Sequence, residues 1–396
     1  MLETLAESQP EALLQISIDF AADTRTEKID LGVGVYRNQQ GQTHILNTVK
    51  DAEARLVEQQ QTKSYVGLLG DTQFNKAISD LILGPQLVMD RLAVLQTPGG
   101  SAALRLLFEL VKNANPKANL WLPDPSWANH LPTVQTVGLN CDIYPYYDAN
   151  TSSLNFSAMT EALQKLSGND VVLLHSCCHN PTGADLSADQ WDIVADLAQK
   201  NGFIPLVDMA YHGFANGLNA DAYGVRQLAS KCPELLLAYS CSKNFAIYRE
   251  RTGIALVQSK THENAARALG QMKAVVRANY SMPPDHGAAV VRIILQDKSL
   301  RESWALELES IQQRIQGLRK CLANEFRRQT GSNHYARITQ QNGIFSMLNL
   351  SPDQVQVLRD HFAIYMPRDG RINIAGLNES NVAYFVTAIT SFNQEF

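Results

Sequence analysis

The sequence lacks the features that would place the chain outside the ordinary globular class. Its 396 residues contain no apolar run of about 18 residues, so no membrane-spanning helix is expected. The opening residues MLETLAESQPEALL lack the basic start and apolar core of a secretory signal. The six cysteines are too sparse for a disulfide scaffold. We therefore expect reduced thiols and a cytoplasmic protein with no membrane partner.

An excess of basic charge is also missing. The formal net charge is -5, and no charge block or low-complexity linker interrupts the chain. This balance disfavours nucleic acid as a partner, whereas small acidic substrates would need local arginines. With 45% hydrophobic residues, the chain has enough apolar material for a large core. Its length favours two domains, or one large α/β domain with an appendage.

The middle of the chain has the pattern of an α/β sheet. Between about residues 63 and 253, short apolar runs alternate with longer amphipathic stretches, which is typical of a mostly parallel sheet. A helix is predicted over Ser187–Asn201, because Ser187 and Gln190 form a capping-box pattern. The candidate strands are Leu92–Gln96, Asn119–Leu122, Val171–His175, Phe203–Val207 and Leu235–Tyr239.

The last third of the chain has a different pattern. After Gly287 the periodicity is helical through Ala288–Leu295 and Leu306–Phe326. Short strand-like pieces follow at Ser346–Asn349 and Arg371–Ala375. We expect a smaller α+β unit here, with the N-terminal segment packed against it.

Polar residues that follow the apolar runs are the first candidates for a site, because ligands bind beyond the carboxyl ends of parallel strands. After the first run, Gly100 and Ser101 lead into a helix predicted to begin at Ala102. Backbone N–H groups at such a helix start favour an anion such as a phosphate. An ordinary tight turn is the alternative.

A cluster of histidine and cysteine follows the third run. His175, Cys177, Cys178 and His179 suggest zinc, but adjacent cysteines cannot both point to one side of a strand. No second ligand pair follows at zinc-finger spacing, so we expect no metal. Asn180 lies in the next turn, where its amide can bond a ligand oxygen.

The last two runs end in a carboxylate and a lysine. A buried carboxylate at Asp208 needs a partner, which a cationic ring nitrogen of a ligand would supply. A helix cap or a buried ion pair is the alternative. Lys243 is suited to form a Schiff base if desolvation or a nearby cation lowers its pKa, although most lysines in such places are solvated. Ser240 and Arg251 flank it as candidate phosphate ligands.

Two further segments bear on the ligand. Arg371 begins a strand-like run, either as an exposed edge arginine or as a receptor for a carboxylate. The segment from Gly32 to Arg37 has two glycines of the dinucleotide fingerprint and arginine where the third belongs. A nicotinamide dehydrogenase is therefore disfavoured.

Taken in order, the motifs resemble the class I, fold-type I aminotransferases that use pyridoxal 5'-phosphate (PLP), in the aspartate and aromatic amino-acid branch. The resemblance spans nearly the whole chain. It implies a large domain at 44–310 with a mostly parallel seven-stranded sheet flanked by helices, a smaller α+β domain at 1–43 and 311–396, and a homodimer with shared active sites. The motifs are IDLGVGVYR at 29–37, KSYVG at 63–67, PSWANH at 125–130, CHNPTG at 178–183, SKNF at 242–245, RANYS at 277–281 and GRIN at 370–373.

The resemblance implies roles for the residues around the ring of PLP. Lys243 would hold PLP covalently and, once freed, would carry the proton between the substrate α-carbon and the cofactor. Asp208 would pair with the protonated ring nitrogen, supported by His130. Asn180 and Tyr211 would bond the phenolic oxygen.

Other matched positions would bind the phosphate and the substrate. Trp127 would stack on the ring face, and Arg371 would receive the substrate α-carboxylate with Gly34 lining the pocket. The expected phosphate ligands are Gly100, Ser101, Ser240, Arg251 and, from a second subunit, Tyr65.

Substrate preference depends on Arg277. By the resemblance it reaches across the dimer to the distal carboxylate of aspartate, glutamate or 2-oxoglutarate. Dicarboxylate-specific relatives usually have asparagine in the segment occupied here by Ser281 and Met282, so we expect Arg277 to lack a polar partner. We therefore favour transamination of Phe, Tyr and Trp, and also Asp and Glu, with 2-oxoglutarate or another oxo acid. Aspartate aminotransferase is the alternative.

Two other classes of function remain open. A different PLP reaction, such as β-elimination or decarboxylation, is compatible with the fold. Two arginines suited to two carboxylates, Arg277 and Arg371, disfavour it. A PLP-binding regulator would need a DNA-binding module, for which we find no basic N-terminal extension.

Overall fold

The structure is a computed structural model that describes residues 2–6, 12–84 and 89–391. Contacts divide the chain into two units. The large unit takes residues 44–180 and 184–314, and the small unit lies within 1–43, 181–183 and 315–396.

Helices account for most of the regular structure. Short 3₁₀ helices occur at Leu2–Thr4, Met89–Arg91, His334–Gln340 and Ile374–Gly376. The α-helices are α1 (Ala12–Ala22), α2 (Asn47–Gln59), α3 (Thr72–Leu83), α4 (Gly99–Ala114), α5 (His130–Val137), α6 (Phe156–Leu163), α7 (Ala188–Asn201), α8 (Leu218–Asp221), α9 (Tyr223–Lys231), α10 (His262–Asn279), α11 (His286–Gln296), α12 (Lys298–Thr330), α13 (Pro352–Phe362) and α14 (Val382–Thr390).

The strands form one large sheet and three small ones. They are β1 (Ile29–Asp30), β2 (Leu92–Pro98), β3 (Asn119–Asp124), β4 (Asn140–Pro145), β5 (Tyr147–Asp148), β6 (Ser153–Leu154), β7 (Asp170–His175), β8 (Ile204–Met209), β9 (Leu235–Ser240), β10 (Thr252–Gln258), β11 (Phe345–Met347), β12 (Ile364–Tyr365) and β13 (Arg371–Asn373).

The large unit is built on a seven-stranded sheet of order β2-β10-β9-β8-β7-β3-β4. Only β10 runs antiparallel to its neighbours, so the predicted mostly parallel α/β sheet is confirmed. The central strands β7, β8 and β9 are buried nearly throughout, because helices cover both faces of a parallel sheet. All five predicted strands occur with ends that differ by at most two residues.

The sequence pattern missed β4 and β10. Strand β4 lies at the edge of the sheet and exposes most of its side chains, so it does not form an apolar run. Helix α7 has the predicted capping box, with both hydrogen bonds between Ser187 and Gln190. Helix α4 begins at Gly99, three residues before the predicted start at Ala102. The left-handed φ of +78° at Gly99 lets the chain pass directly from β2 into the helix.

The small unit joins the two ends of the chain. Strand β1 pairs in parallel with β12, and β11 pairs antiparallel with β13, so that Met347 lies opposite Arg371. The N-terminal segment therefore packs with the C-terminal elements, as expected. Arg319 of α12 is wholly buried in this unit.

The structure bears on the expectations for the cysteines and for membrane-spanning helices. All six cysteines are free thiols. In the described part of the chain, no helix is long and apolar enough to cross a bilayer.

Candidate functional site

The carboxylate of Asp208 is buried at the end of β8, in the middle of the large sheet. His130 Nε2 donates to Asp208 Oδ2 at 3.1 Å, and Ser126 Oγ lies 2.7 Å from His130 Nδ1. Burial alone would raise the pKa of Asp208, but the hydrogen bond and the charge of His130, together with the charge of Lys243, outweigh it and hold the pKa below its usual value. Asp208 is therefore an anion inside the protein.

Lys243 lies in the turn that follows β9, the neighbouring strand. Its Nζ lies 5.2 Å from the centre of the Tyr211 ring. Burial lowers the pKa of Lys243, and the charge of Arg251 adds to this, whereas Asp208 opposes it. A lowered pKa increases the fraction of neutral amine, which is the form that attacks a carbonyl.

A candidate cradle for an anion lies at the start of α4. A Cβ atom on Gly99 would lie 2.6 Å from a guanidinium nitrogen of Arg251, and one on Gly100 would lie 3.1 Å from Ser240. Arg251 Nη1 donates to Ser242 Oγ at 3.3 Å. A helix start, a guanidinium and two hydroxyls thus surround a space that only glycine leaves open. The sequence reasoning missed Gly99 and Ser242 as site residues, although each adjoins a residue that it selected.

The remaining candidates of the large unit occupy different settings. Asn180 is buried, and its amide oxygen has no hydrogen-bond partner among the described residues. Trp127 meets His130 edge to face, with ring centres 5.2 Å apart. Tyr65 is 89% exposed, so its own chain does not enclose it. Ser101 lies in the first turn of α4.

The histidine and cysteine cluster is a packed group of rings. The rings of His175 and His179 lie 4.3 Å apart, and His179 stacks on Tyr146 at 4.0 Å. Burial lowers the pKa of His175 to about 3. The two cysteines lie in the turn after β7 and not on the strand, and the Cys178 N–H donates to Asp185. The described residues contain no group of three or more side chains placed to hold a metal ion.

Arg371 begins β13 in the small unit and is buried, so an exposed edge arginine is excluded. Its Nη2 donates to the carbonyl oxygen of Gly32 at 2.7 Å. The guanidinium carbon lies 4.3 Å from the centre of the Phe345 ring. The same ring lies against Gly34, where a Cβ atom would approach it to 2.8 Å. Arg371 and Gly34 therefore share one neighbour.

Arg277 lies in the last turn of α10 and is exposed. Its Nη1 donates to Ser281 Oγ at 2.7 Å, so the expectation that Arg277 lacks a polar partner is wrong. Ser281 has a left-handed φ of +65° just after the helix, where its hydroxyl reaches the residue four positions earlier. The sequence pattern around Met282 could not show this turn.

The family model for aminotransferase class I and II matches residues 26–389. The chain belongs to this family. It is 44% identical to an aromatic-amino-acid aminotransferase of Paracoccus denitrificans, over 98% of this chain and 99% of the relative. It is 40% identical to an aspartate aminotransferase of Salmonella typhi, over 99% and 100% of the two chains. The aromatic-amino-acid aminotransferase of Burkholderia pseudomallei, solved covalently bound to pyridoxal phosphate, superposes with a TM-score of 0.95 at 36% identity, covering 99% of each chain.

Proposed function

We propose that the chain is a PLP-dependent aminotransferase that transfers amino groups from Phe, Tyr and Trp, and also from Asp and Glu, to 2-oxoglutarate. The observation that carries the proposal is a partly buried lysine with a lowered pKa, Lys243, close to a buried anion, Asp208. The resemblance to the Paracoccus enzyme supports the aromatic preference.

The large unit fits PLP at three places. The Asp208 anion would pair with the ring nitrogen, and the buried side-chain amide of Asn180 would donate to the phenolic oxygen. The cradle of Gly100, Ser101, Ser240, Ser242 and Arg251 matches a phosphate in charge and in donors. When bound there, PLP supplies an electron-poor ring that makes the α-hydrogen of an amino acid acidic.

Lys243 would hold the cofactor and then move the proton. Its pKa is lowered by burial and by Arg251, so the freed amine is ready to accept the α-proton and to return it. Tyr211 and Asn180 would bond the phenolic oxygen of the ring. His130 would keep Asp208 oriented through the 3.1 Å contact.

Arg371 and Arg277 would bind the two carboxylates. Arg371, with Gly34 beside its Phe345 neighbour, would bind the α-carboxylate through its planar donor fork. Arg277 is exposed in its own chain, which suits a group that reaches into a second subunit. Tyr65 is exposed in the same way. We accordingly propose that two copies of the chain form a homodimer. We further propose that the protein is cytoplasmic and that Trp127 stacks on the ring of PLP.

Aspartate aminotransferase is the second candidate. The Salmonella relative favours it. The hydrogen bond from Arg277 to Ser281 favours it too, because it holds the guanidinium in one place, where it can bind the distal carboxylate of aspartate. Size-exclusion chromatography tests the homodimer for both candidates.

The experiment is a spectral titration of the purified, PLP-loaded protein with phenylalanine and with aspartate, each without an oxo acid. Conversion of the cofactor to its amino form by either substrate supports transamination, and the faster substrate at equal concentration decides the preference. Elimination or decarboxylation products in place of the amino form would refute the proposal.

The role of Lys243 is tested separately. Borohydride reduction followed by peptide mass spectrometry should find PLP attached to Lys243, and Lys243→Ala should lower the rate at least about 10³-fold. The exposed Lys260→Ala is the control and should keep both the label and the rate. Retained turnover in Lys243→Ala would contradict the central assignment.

A further inference from the structure

A chain of wholly buried side chains lies next to the candidate site, and the proposed mechanism does not use it. His212 follows Tyr211 in sequence, Asn244 follows Lys243, and Tyr239 lies in β9. Asn244 Nδ2 lies 2.7 Å from Tyr239 Oη, and His212 Nδ1 lies 3.1 Å from the same atom. The Tyr239 hydroxyl thus connects the neighbours of the two site residues.

In this hydrogen-bonded series of side chains, the donor and the acceptor of each bond can be assigned. His212 Nε2 lies 2.7 Å from the carbonyl oxygen of Leu218, which can only accept, so Nε2 carries a proton. Burial lowers the pKa of His212 to about 4, so the ring is neutral near pH 7 and Nδ1 accepts. Tyr239 therefore donates its proton to His212, and its oxygen accepts from the Asn244 amide. Only this assignment of donors and acceptors satisfies all three hydrogen bonds.

The turn that carries Lys243 is also held on its other side. Trp304 Nε1 donates to the carbonyl oxygen of Asn244 at 2.8 Å. The Phe245 ring stacks on Trp304, with ring centres 4.5 Å apart and an angle of 4° between the planes. Asn244 is thus fixed through both its side chain and its backbone.

The loop after Tyr211 is equally restrained. The carboxylate of Asp221 accepts from the N–H groups of Gly213, Ala215 and Asn216 at 2.8, 3.1 and 2.8 Å. The turn that carries Lys243 and the loop after Tyr211 are thus each held by hydrogen bonds of their own. The Tyr239 hydroxyl connects the two directly, through Asn244 and His212.

We propose that Tyr239 is a positioning residue that holds the Lys243 turn in register with the Tyr211 loop. The inference rests on the proposed role of Lys243 as the group that moves the proton. Tyr239 acts through Asn244 and His212, so its loss should slow proton transfer and leave substrate binding intact. Small errors in the placement of a reacting group reduce rates strongly.

The test compares Tyr239→Phe with the matched control Tyr144→Phe in the PLP-loaded enzyme. Tyr144 is also wholly buried in the same sheet, and its hydroxyl donates to the carbonyl oxygen of Leu173 at 2.8 Å. Both variants remove one buried hydroxyl, so a similar fall in melting temperature is expected. Tyr239→Phe should lower kcat with phenylalanine about tenfold and keep KM within about twofold.

Two further measurements report on positioning. A deuterium on the α-carbon should slow Tyr239→Phe by a larger ratio than the wild type, because proton transfer becomes more rate-limiting. The visible circular dichroism of bound PLP should shrink, because the cofactor is held less uniformly. Tyr144→Phe should leave kcat, the isotope effect and the circular dichroism unchanged.

The outcomes separate this inference from the proposed function. If borohydride does not attach PLP to Lys243 in the wild type, the proposed function fails. If the wild type is labelled and active but Tyr239→Phe matches Tyr144→Phe in all three readouts, only the positioning role is wrong. If Tyr239→Phe does not fold, His212→Phe is the substitute. It removes the acceptor of the Tyr239 hydroxyl and should reproduce the loss of kcat.

Discussion

The two units use buried polar side chains in different ways. In the large unit, the buried Asp208 lies at the end of β8 and the partly buried Lys243 follows β9, the adjacent strand, and the two charges shift each other's pKa. In the small unit, the buried arginines Arg319 and Arg371 are surrounded mainly by backbone carbonyls and an aromatic ring. We propose that the first arrangement prepares side chains for chemistry, whereas the second orders the backbone and presents a positive charge.

Within the small unit, the two arginines have contrasting partners. Arg319 donates to the carbonyl oxygens of Ile338, Asn342, Gly343 and Phe345. These partners run from the 3₁₀ helix His334–Gln340 to the start of β11, so Arg319 ties this stretch of backbone together. Arg371 donates to the backbone carbonyl oxygen of Gly32 and lies against the face of the Phe345 ring. We assign the first to stability and propose the second for substrate.

The largest expected effect tests the proposed role of Arg371. Arg371→Ala should reduce transition-state binding by about 2–5 kcal/mol, or roughly 30-fold to several thousand-fold in kcat/KM, because a charge partner of the substrate carboxylate is lost. Steady-state kinetics with phenylalanine measures this. The exposed Arg368→Ala is the control. A loss under about threefold would show that Arg371 does not receive the carboxylate.

Next in size is the structural role of Arg319. Arg319→Met should lower the free energy of unfolding by about 3 kcal/mol or more, because several buried carbonyl groups lose their donor. Urea unfolding measures this, with the exposed neighbour Lys320→Met as control. If unfolding is unchanged while kcat/KM falls as much as in Arg371→Ala, the contrast between the two arginines is wrong.

The large unit should lose stability in mild acid. Burial lowers the pKa of His175 to about 3 and of His212 to about 4, so the unfolded chain binds more protons than the folded one below about pH 6.5. The free energy of unfolding should fall by about 2 kcal/mol for each histidine between pH 6.5 and 5. Burial raises the pKa of Asp221 to about 6, which offsets part of this loss.

Urea unfolding at several pH values checks this dependence. His175→Gln should remove about 2 kcal/mol of the difference between pH 6.5 and 5, whatever its effect on total stability. His262→Gln, at an exposed site, should keep the full difference. An unchanged slope in His175→Gln would mean that this histidine is protonated in the folded protein.

The smallest effect concerns backbone strain beside the lysine. Ala246 has a left-handed φ of +53°, and its N–H donates to the carbonyl oxygen of Lys243 at 3.0 Å. Ala246→Gly should stabilise the protein by about 0.5–1 kcal/mol, because glycine adopts this conformation without strain. Ala222→Gly, at an ordinary φ of −88°, should destabilise it. A loss of stability in both variants would show that the Ala246 turn carries no strain.

Local sequence patterns were sufficient for five of the seven strands of the large sheet and for helix α7. The apolar runs predicted β2, β3 and the central strands β7, β8 and β9. The signal is strongest for the central three, because strands covered on both faces need apolar side chains at nearly every position. The prediction failed at the exposed edge strand β4. The helix start at Gly99 was misplaced, because glycine normally signals a turn and here forms the first turn of the helix.

In the candidate site, too, some features followed from local sequence patterns and others did not. Its polar residues could be selected because they follow apolar runs, and parallel strands bring those ends together. The expectation that Arg277 lacks a polar partner was wrong, because the left-handed position of the turn is a serine, Ser281, and not the glycine or asparagine that usually signals such a turn. The roles assigned to these residues remain a proposal.

By itself, the sequence determined which groups are available and roughly where strands and helices carry them, because periodicity and capping act over a few residues. Only the tertiary structure decided which groups become neighbours. The His212–Tyr239 contact joins residues 27 positions apart, and the Asp208–His130 contact joins residues 78 positions apart. The pKa values of Asp208 and Lys243 depend on such distant contacts and on burial, which arise only when the whole sheet is packed.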